Sequence, residues 1–361
     1  MVEKIIVVNA SALRSGGALT ILHQFINAIP DDNITYLVFV DRSVVITHSK
    51  KNLRLVHVNV TSFLNRIMWD AFGVKKWLKI NNVNPAITVS LQNTNFQVGY
   101  KIPNYIYYHQ PIPLFSNKWN LFKKGERSLW FYKYIYPFFV KIFMNSRTEI
   151  FVQLEFIKTE FVKKFDFNET KVHVIFPDLE IPQTAEISRV QLEQKKINLF
   201  YPAAPYIYKD HALIFQAFKL IDTLLTNKIV LYLTTVKDEI ELQPNYENID
   251  IVFLDKISHG EVIWLFNNVD ALIFPSYIET LGLPLIEAAS FGLPIIVADL
   301  PYSREVLDGY SGVKYLNYQD VGAWGDAIIE LCLAKGKKYE SYTKGNTKSW
   351  KDFFRIIKKT L

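Results

Sequence analysis

Residues 274–298 read FPSYIETLGLPLIEAASFGLPIIVA. A strand, Ala271 to Pro275, runs out at Phe274-Pro275. A loop follows and carries Glu279, then Thr280-Leu281-Gly282. Pro284 suits the first turn of a helix, because the N–H it lacks would have no partner there. Gly292 suits the end of that helix, since glycine enters the left-handed conformation without a Cβ penalty. Pro294 opens the next strand, Pro294 to Ala298. Strand, helix and strand in this order are the unit of a parallel sheet with crossover helices.

The same stretch carries chemistry. Backbone N–H groups of Leu281, Gly282 and Leu283 stand at the helix start, where amides and helix dipole both favour an anion such as a diphosphate. Glu287, read as lying near the first turn, can accept from a pair of vicinal hydroxyls such as those of a ribose. Glu279, on the loop, can reach hydroxyls of a sugar beyond the phosphates. The alternative is a solvated loop glutamate and a helix-start glutamate favoured by the dipole alone.

Outward from this stretch the alternation continues in both directions, which predicts an α/β protein with two doubly wound, Rossmann-like domains. In the first half, strands are expected at Ile5 to Val8, Ile34 to Val40, Arg54 to Val60, Ala86 to Leu91, Tyr105 to His109, Ile150 to Leu154 and Lys171 to Phe176. Helices fit after Ser15-Gly16-Gly17 and over Phe63 to Ile80. In the second half, strands are expected at Ile197 to Tyr201, Ile229 to Thr234, Ile251 to Leu254 and Val313 to Leu316, besides the two already named. Helices fit near His211 to Leu220, His259 to Phe266, Pro284 to Phe291 and Gln319 to Leu333. Residues 181–194 are polar and lack a period. They read as a linker between a first domain, 1–180, and a second, 195–345. Residues 346–361 are a basic amphipathic helix expected to pack back on the first domain. Two such domains imply a cleft, with ligands at the carboxyl ends of the strands.

Composition narrows the function. The chain has 361 residues, half of them apolar and 21% charged, with a net charge of +6. Two folded domains with large cores are expected. No compact Lys/Arg array accompanies a nucleic-acid motif, so nucleic acid is not an expected partner. The single cysteine, Cys332, permits no disulfide framework or cysteine metal site and favours a reducing compartment. No uncharged apolar run reaches the ~18 residues of a membrane span. The expected place is the cytoplasm, either free or resting on a membrane. The stretch 128–144, SLWFYKYIYPFFVKIFM, is a candidate peripheral membrane contact, with burial against the sheet as the alternative.

The frame Pro-Ser-x-x-Glu-x-x-Gly-x-Pro-x-x-Glu-Ala over residues 275–288 resembles the retaining glycosyltransferases of family four, which have the GT-B fold. The resemblance implies a hexosyl transfer from a nucleoside diphosphate sugar to a glycan or lipid-linked glycan acceptor, of the O-antigen or lipopolysaccharide kind. It implies that Glu279 contacts the donor sugar and Glu287 the ribose. Lys209, in the segment Tyr201-Pro202-Ala203-Ala204 to Lys209-Asp210-His211, resembles the family's diphosphate-binding lysine. Where many members carry an arginine a few residues earlier, this chain has Pro205-Tyr206-Ile207-Tyr208. Ile257, in the loop before a helix, stands where relatives hold the base. Gly16 and Gly17 resemble the family's glycine loop, and a plain tight turn is the other reading. His109 matches the family's first-domain histidine beside the donor sugar, and Asn93 ends the preceding strand and could touch sugar or acceptor. The catalytic set implied is therefore His109, Lys209 and Glu279. No Asp-x-Asp metal motif is present and no cofactor is implied. A non-hydrolysing sugar-nucleotide epimerase of the same fold and a catalytically silent GT-B subunit are the competing readings.

Overall fold

A computed structural model of the protein describes residues 3–178, 189–240, 245–345 and 347–361. The chain divides into two compact units, Met1–Asp178 with Asn346–Leu361, and Leu179–Gly345. Residues 181–188 of the expected linker lie outside the described residues.

The first unit is built on seven parallel strands: β1 (Lys4–Asn9), β2 (Ile34–Asp41), β3 (Leu53–Val58), β4 (Ile87–Ser90), β5 (Asn104–Tyr107), β6 (Thr148–Val152) and β7 (Val172–Val174). Their order across the sheet is β3-β2-β1-β4-β5-β6-β7. The chain winds outward from β1 and then crosses to β4, so the direction of winding reverses between β1 and β4. That reversal opens a crevice at the strands' carboxyl ends. Helix α1 (Gly16–Ala28) follows β1. Helices α2 (Phe63–Met68) and α3 (Val74–Ile80) precede β4, α4 (Arg127–Tyr134) and α5 (Tyr136–Lys141) lie between β5 and β6, and α6 (Glu155–Phe165) precedes β7. The central strands β4, β5 and most of β1 and β6 are buried because helices cover both faces. Ile6 and Val8 of β1 join one cluster with Phe25 of α1, whereas Ile5 and Val7 join another with Val74 and Leu78 of α3.

The single helix expected over Phe63 to Ile80 is interrupted by a π turn, Trp69–Gly73. The Val74 N–H reaches back five residues to the Trp69 carbonyl. This frees the Asp70 carbonyl from the helix ladder, and the Gln97 N–H donates to it at 2.7 Å.

The second unit holds six parallel strands: β8 (Ile197–Tyr201), β9 (Ile229–Leu233), β10 (Ile249–Phe253), β11 (Ala271–Phe274), β12 (Ile295–Ala298) and β13 (Val313–Leu316). Their order is β10-β9-β8-β11-β12-β13, with the reversal between β8 and β11. The crossovers are α7 (His211–Ile221), α8 (His259–Asn268), α9 (Leu283–Ser290), α10 (Pro301–Val306) and α11 (Val321–Leu333). Strands β8, β9 and β11 are buried at every position, which is why they read as apolar runs rather than as alternation.

The last helix, α12 (Trp350–Lys358), belongs to the first unit. Ser349 caps it, and its buried stripe of Trp350, Phe353, Phe354 and Ile357 packs on Phe25, Tyr36, Tyr107 and Phe151.

Candidate functional site

In the second unit the winding reversal brings together the loops after β8 and β11. The first ends in a 3-10 turn, Ile207–Lys209, and the second runs from Pro275 to Gly282. Backbone bonds pin them. The Tyr277 N–H donates to the Tyr208 carbonyl at 3.0 Å, and the Tyr201 hydroxyl donates to the Lys209 carbonyl at 2.5 Å. The Tyr302 hydroxyl, from α10, donates to the Ser276 carbonyl at 2.6 Å. With the loops fixed in this way, Lys209 Nζ forms an ion pair and hydrogen bond with Glu279 Oε1. The two residues lie 70 positions apart, and the sequence offered no sign that they touch. Their side chains are 16% and 14% exposed.

Aromatic rings surround this pair. Lys209 Nζ lies 5.6 Å from the ring centre of Tyr208 and 5.8 Å from that of Phe274, within cation–π range. Tyr206 stacks on Tyr208 at 5.4 Å, so rings occupy the segment where the family resemblance leads one to look for an arginine. Burial, and then the Glu279 charge, raise the Tyr201 and Tyr302 hydroxyls well above the usual tyrosine range. Both phenols therefore stay neutral donors. Asp210 caps α7, its carboxylate accepting from the Leu213 N–H at 3.2 Å, and burial pushes it up to about 6. His211 is pushed down to about 4 by burial and by Lys209, so its imidazole is neutral at pH 7.

Gly282 is the N-cap of α9, with φ of +72°. Since α9 starts at Leu283, Glu287 is its fifth residue, directly after the first turn. The first turn carries no acid, leaving the helix start electrically positive. Glu287 Oε1 is 2.9 Å from His259 Nε2, on the opening turn of α8. This hydrogen bond raises the histidine's pKa, against a smaller opposing effect of burial. Ile257, partly buried, precedes the Ser258 cap of that same helix.

The first unit has its own cluster at the reversal between β1 and β4. Gln92, just past β4, accepts from the Ser11 hydroxyl at 3.3 Å and the Ala12 N–H at 3.1 Å, tying the loop after β1 to that after β4. Asn93 adopts φ of +71°, and its Oδ1 accepts from the His109 N–H at 2.6 Å. The expected strand Tyr105 to His109 ends at Tyr107, so His109 lies in the loop beyond it. Burial, and then the Arg66 charge, push His109 down to about 4, leaving a neutral imidazole at pH 7. Beneath these loops, Asp70 accepts from Asn9 at 2.8 Å, Gln92 at 2.9 Å and Thr94 at 3.3 Å. Gly16 and Gly17 open α1. Both are exposed, and a Cβ on either would meet nothing within 4 Å. Among the described residues no group of three or more His, Cys, Asp or Glu side chains could hold a metal ion.

Residues 183–349 match the family described as glycosyl transferases group 1. That match covers nearly all of the second unit. An O-antigen chain mannosyltransferase from Salmonella typhimurium is 37% identical over 81 residues, a match spanning 22% of this chain and 22% of that relative. A sucrose-phosphate synthase from Thermosynechococcus elongatus superposes with a TM-score of 0.65 at 13% identity, over 92% of this chain and 90% of its own. A protein of Anabaena, solved in complex with UDP and glucose, does so with 0.62 at 13%, over 99% and 100%. The chain has the two-domain α/β architecture of the GT-B fold.

Within the second unit, sequence reasoning passed over His259, Tyr208 and Tyr302. In the first unit it passed over Arg66, Asp70 and Gln92. Asp70 left one trace, as the lone acid over residues 63–80. The tyrosines left none, because 20 of them occur in the chain.

Proposed function

We propose that the protein is a retaining glycosyltransferase that moves a hexosyl unit from a nucleoside diphosphate sugar to a hydroxyl of a glycan or lipid-linked glycan acceptor. The observation that carries this reading is the Lys209–Glu279 pair at the winding reversal of the unit that matches the glycosyl transferases group 1. A cation, a carboxylate and a helix start meet there, which suits the diphosphate and sugar halves of one donor.

The roles follow from the groups. When a donor enters, Lys209 exchanges Glu279 for diphosphate oxygens, and Glu279 turns to sugar hydroxyls. The amides of Leu281, Gly282 and Leu283 complete the anion site. Glu287, with one oxygen engaged by His259, offers the other to the ribose. Ile257 borders the base, and Gly16 and Gly17 let the first unit's backbone approach the donor. As the bond from the anomeric carbon to phosphate breaks, negative charge grows on the departing diphosphate, and Lys209 and the amides stabilise it without a metal. The acceptor oxygen bonds to the anomeric carbon on the same face, and its proton passes to the departing phosphate. His109, neutral at pH 7, orients the sugar as a hydrogen-bonding group rather than as a charge. Asn93 holds the His109 loop and touches sugar or acceptor.

The similarity to an O-antigen chain mannosyltransferase favours assembly of bacterial surface polysaccharide at the cytoplasmic face of the membrane, with 128–144 touching that surface. A panel of nucleotide sugars screened by thermal shift identifies the donor, since a bound ligand raises apparent stability. Transfer of that sugar to acceptor is then followed in wild type and E279A. Sugar joined to acceptor by wild type and not by E279A is expected, and chelator leaves the rate unchanged. An epimerised nucleotide sugar with no transfer product, or full activity in E279A, refutes the reading.

A further inference from the structure

The ridge along α2, the π turn and α3 is inverted relative to an ordinary surface helix. At intervals of four residues it presents Leu64, Met68, Phe72, Lys76 and Ile80, all exposed, with the apolar members 72%, 57%, 64% and 67% accessible. The opposite side already supplies the core through Val74 and Leu78. The outward apolar residues are therefore surplus to folding. A second element continues the patch. Phe63 packs edge-on against Phe131 of α4 at 5.0 Å and Phe139 of α5 at 5.5 Å. Tyr134, Phe138 and Ile142 extend it as further exposed side chains. Within 128–144, by contrast, Leu129, Tyr136 and Val140 are buried, so that stretch supplies only part of the face.

Charge separates in the same way. Residues 63–82 hold four basic side chains and one acidic, and residues 116–147 hold seven and one. These two segments carry +9, whereas the rest of the chain carries −3, against a total of +6. Neither acid opposes the basic groups at the surface. Asp70 is buried under Asn9, Gln92 and Thr94, and Glu126 is buried and paired with Lys123. Lys133 and Lys141 reach the carbonyls of Phe115 and Phe165. Lys75, Lys76, Lys79, Lys118 and Lys124 are exposed and make no ion pair among the described residues.

We infer that the first unit docks on an anionic lipid bilayer through this composite face, with α2–α3 as the inserting ridge and α4–α5 beside it. Apolar side chains flanked by lysines suit the boundary between acyl chains and anionic headgroups, and neither a neutral surface nor a purely ionic one uses both features. No helix among the described residues is long and apolar enough to cross a membrane, so contact through this face is peripheral. The inference stands apart from the Lys209–Glu279 pair, which lies in the other unit.

The test is co-sedimentation of the full chain with phosphatidylcholine vesicles, with and without about 30% phosphatidylglycerol, in about 0.1 M salt. Binding is expected to the anionic vesicles alone. L64Q/F72Q is expected to weaken it at least tenfold and K75E/K76E comparably, with melting temperature and donor-induced thermal shift unchanged because all four side chains are exposed. Loss of donor shift in wild type would count against the proposed chemistry and leave the lipid result standing. Equal binding to neutral vesicles, wild-type binding by L64Q/F72Q, or no binding to either vesicle overturns the inference, the last favouring a protein partner for the face.

Discussion

Replacing Lys209 by Met keeps most of the side chain's volume and removes the only cation beside Glu279 among the described residues. An exposed ion pair contributes about 0–1 kcal/mol. Breaking a fully buried one by removing a single partner costs about 3–5 kcal/mol, because the remaining charge stays buried without compensation. At 16% and 14% exposure this pair lies near the buried end, and the Glu279 charge acts on the buried phenols of Tyr201 and Tyr302. K209M is therefore expected to lose ~2–3 kcal/mol. For a unit of this size each kcal/mol lowers Tm by about 2–4 °C, so the second unit should melt ~5–10 °C lower. E279Q should lose less, because a protonated lysine can swing toward solvent and a glutamine still accepts a hydrogen bond. The double variant K209M/E279Q removes both charges and should return to within ~1 kcal/mol of wild type. Calorimetry on the donor-free protein reads all four species, and a transfer assay accompanies it. The double variant should be stable and inactive, which separates the pair's part in folding from its part in chemistry. K209M melting within about 1 °C of wild type, or a double variant as unstable as K209M, would refute the argument that the pair is an isolated buried couple.

Three further outcomes follow from the geometry. His259 has its pKa raised in the fold by the hydrogen bond to Glu287, so the stabilisation is complete below the unfolded value of about 6.5 and fades as pH rises through the folded value. His259 is 57% exposed, so the step should be under about 1 kcal/mol, and H259Q should lack it in melts taken from pH 6 to 9. Gly292 and Gly309 both have left-handed φ, of +64° and +86°, but a Cβ on Gly292 would sit 2.1 Å from the Tyr339 carbonyl oxygen while one on Gly309 would meet nothing within 4 Å. G309A should cost about 1 kcal/mol from conformation alone and G292A far more in urea unfolding, and equal costs would disprove the clash. Burial raises Asp70 to about 7, so the folded first unit holds a proton that the unfolded chain releases from about pH 4 upward. Its stability should fall as pH rises from about 4 to 7, and D70N should flatten that slope when unfolding is followed across the range.

The α/β architecture was legible because its signals are local. Strands buried on both faces read as apolar runs, and Pro284 and Gly292 bracket α9 through their own backbone preferences. Boundaries were less legible where a neighbour decides them. The helix over 63–80 gains a π turn as the Asp70 carbonyl leaves the ladder for Gln97, a partner 27 positions on. The partner of Glu287 was not legible either, since His259 comes from α8, 28 positions away.

The sequence by itself determined on which loops the candidate residues lie, since the Pro-Ser-x-x-Glu frame, Lys209 and the glycines are each read from a few adjacent positions. Only the tertiary structure decided which of them meet. Lys209 and Glu279 are joined because the strand order reverses between β8 and β11, and His109 is tied to Asn93 because β4 and β5 are neighbours. The lipid-facing ridge was hidden for a related reason. An apolar residue looks the same in sequence whether it fills a core or faces outward, and only the packing of Val74 and Leu78 beneath α3 shows that Leu64, Met68 and Phe72 are left outside.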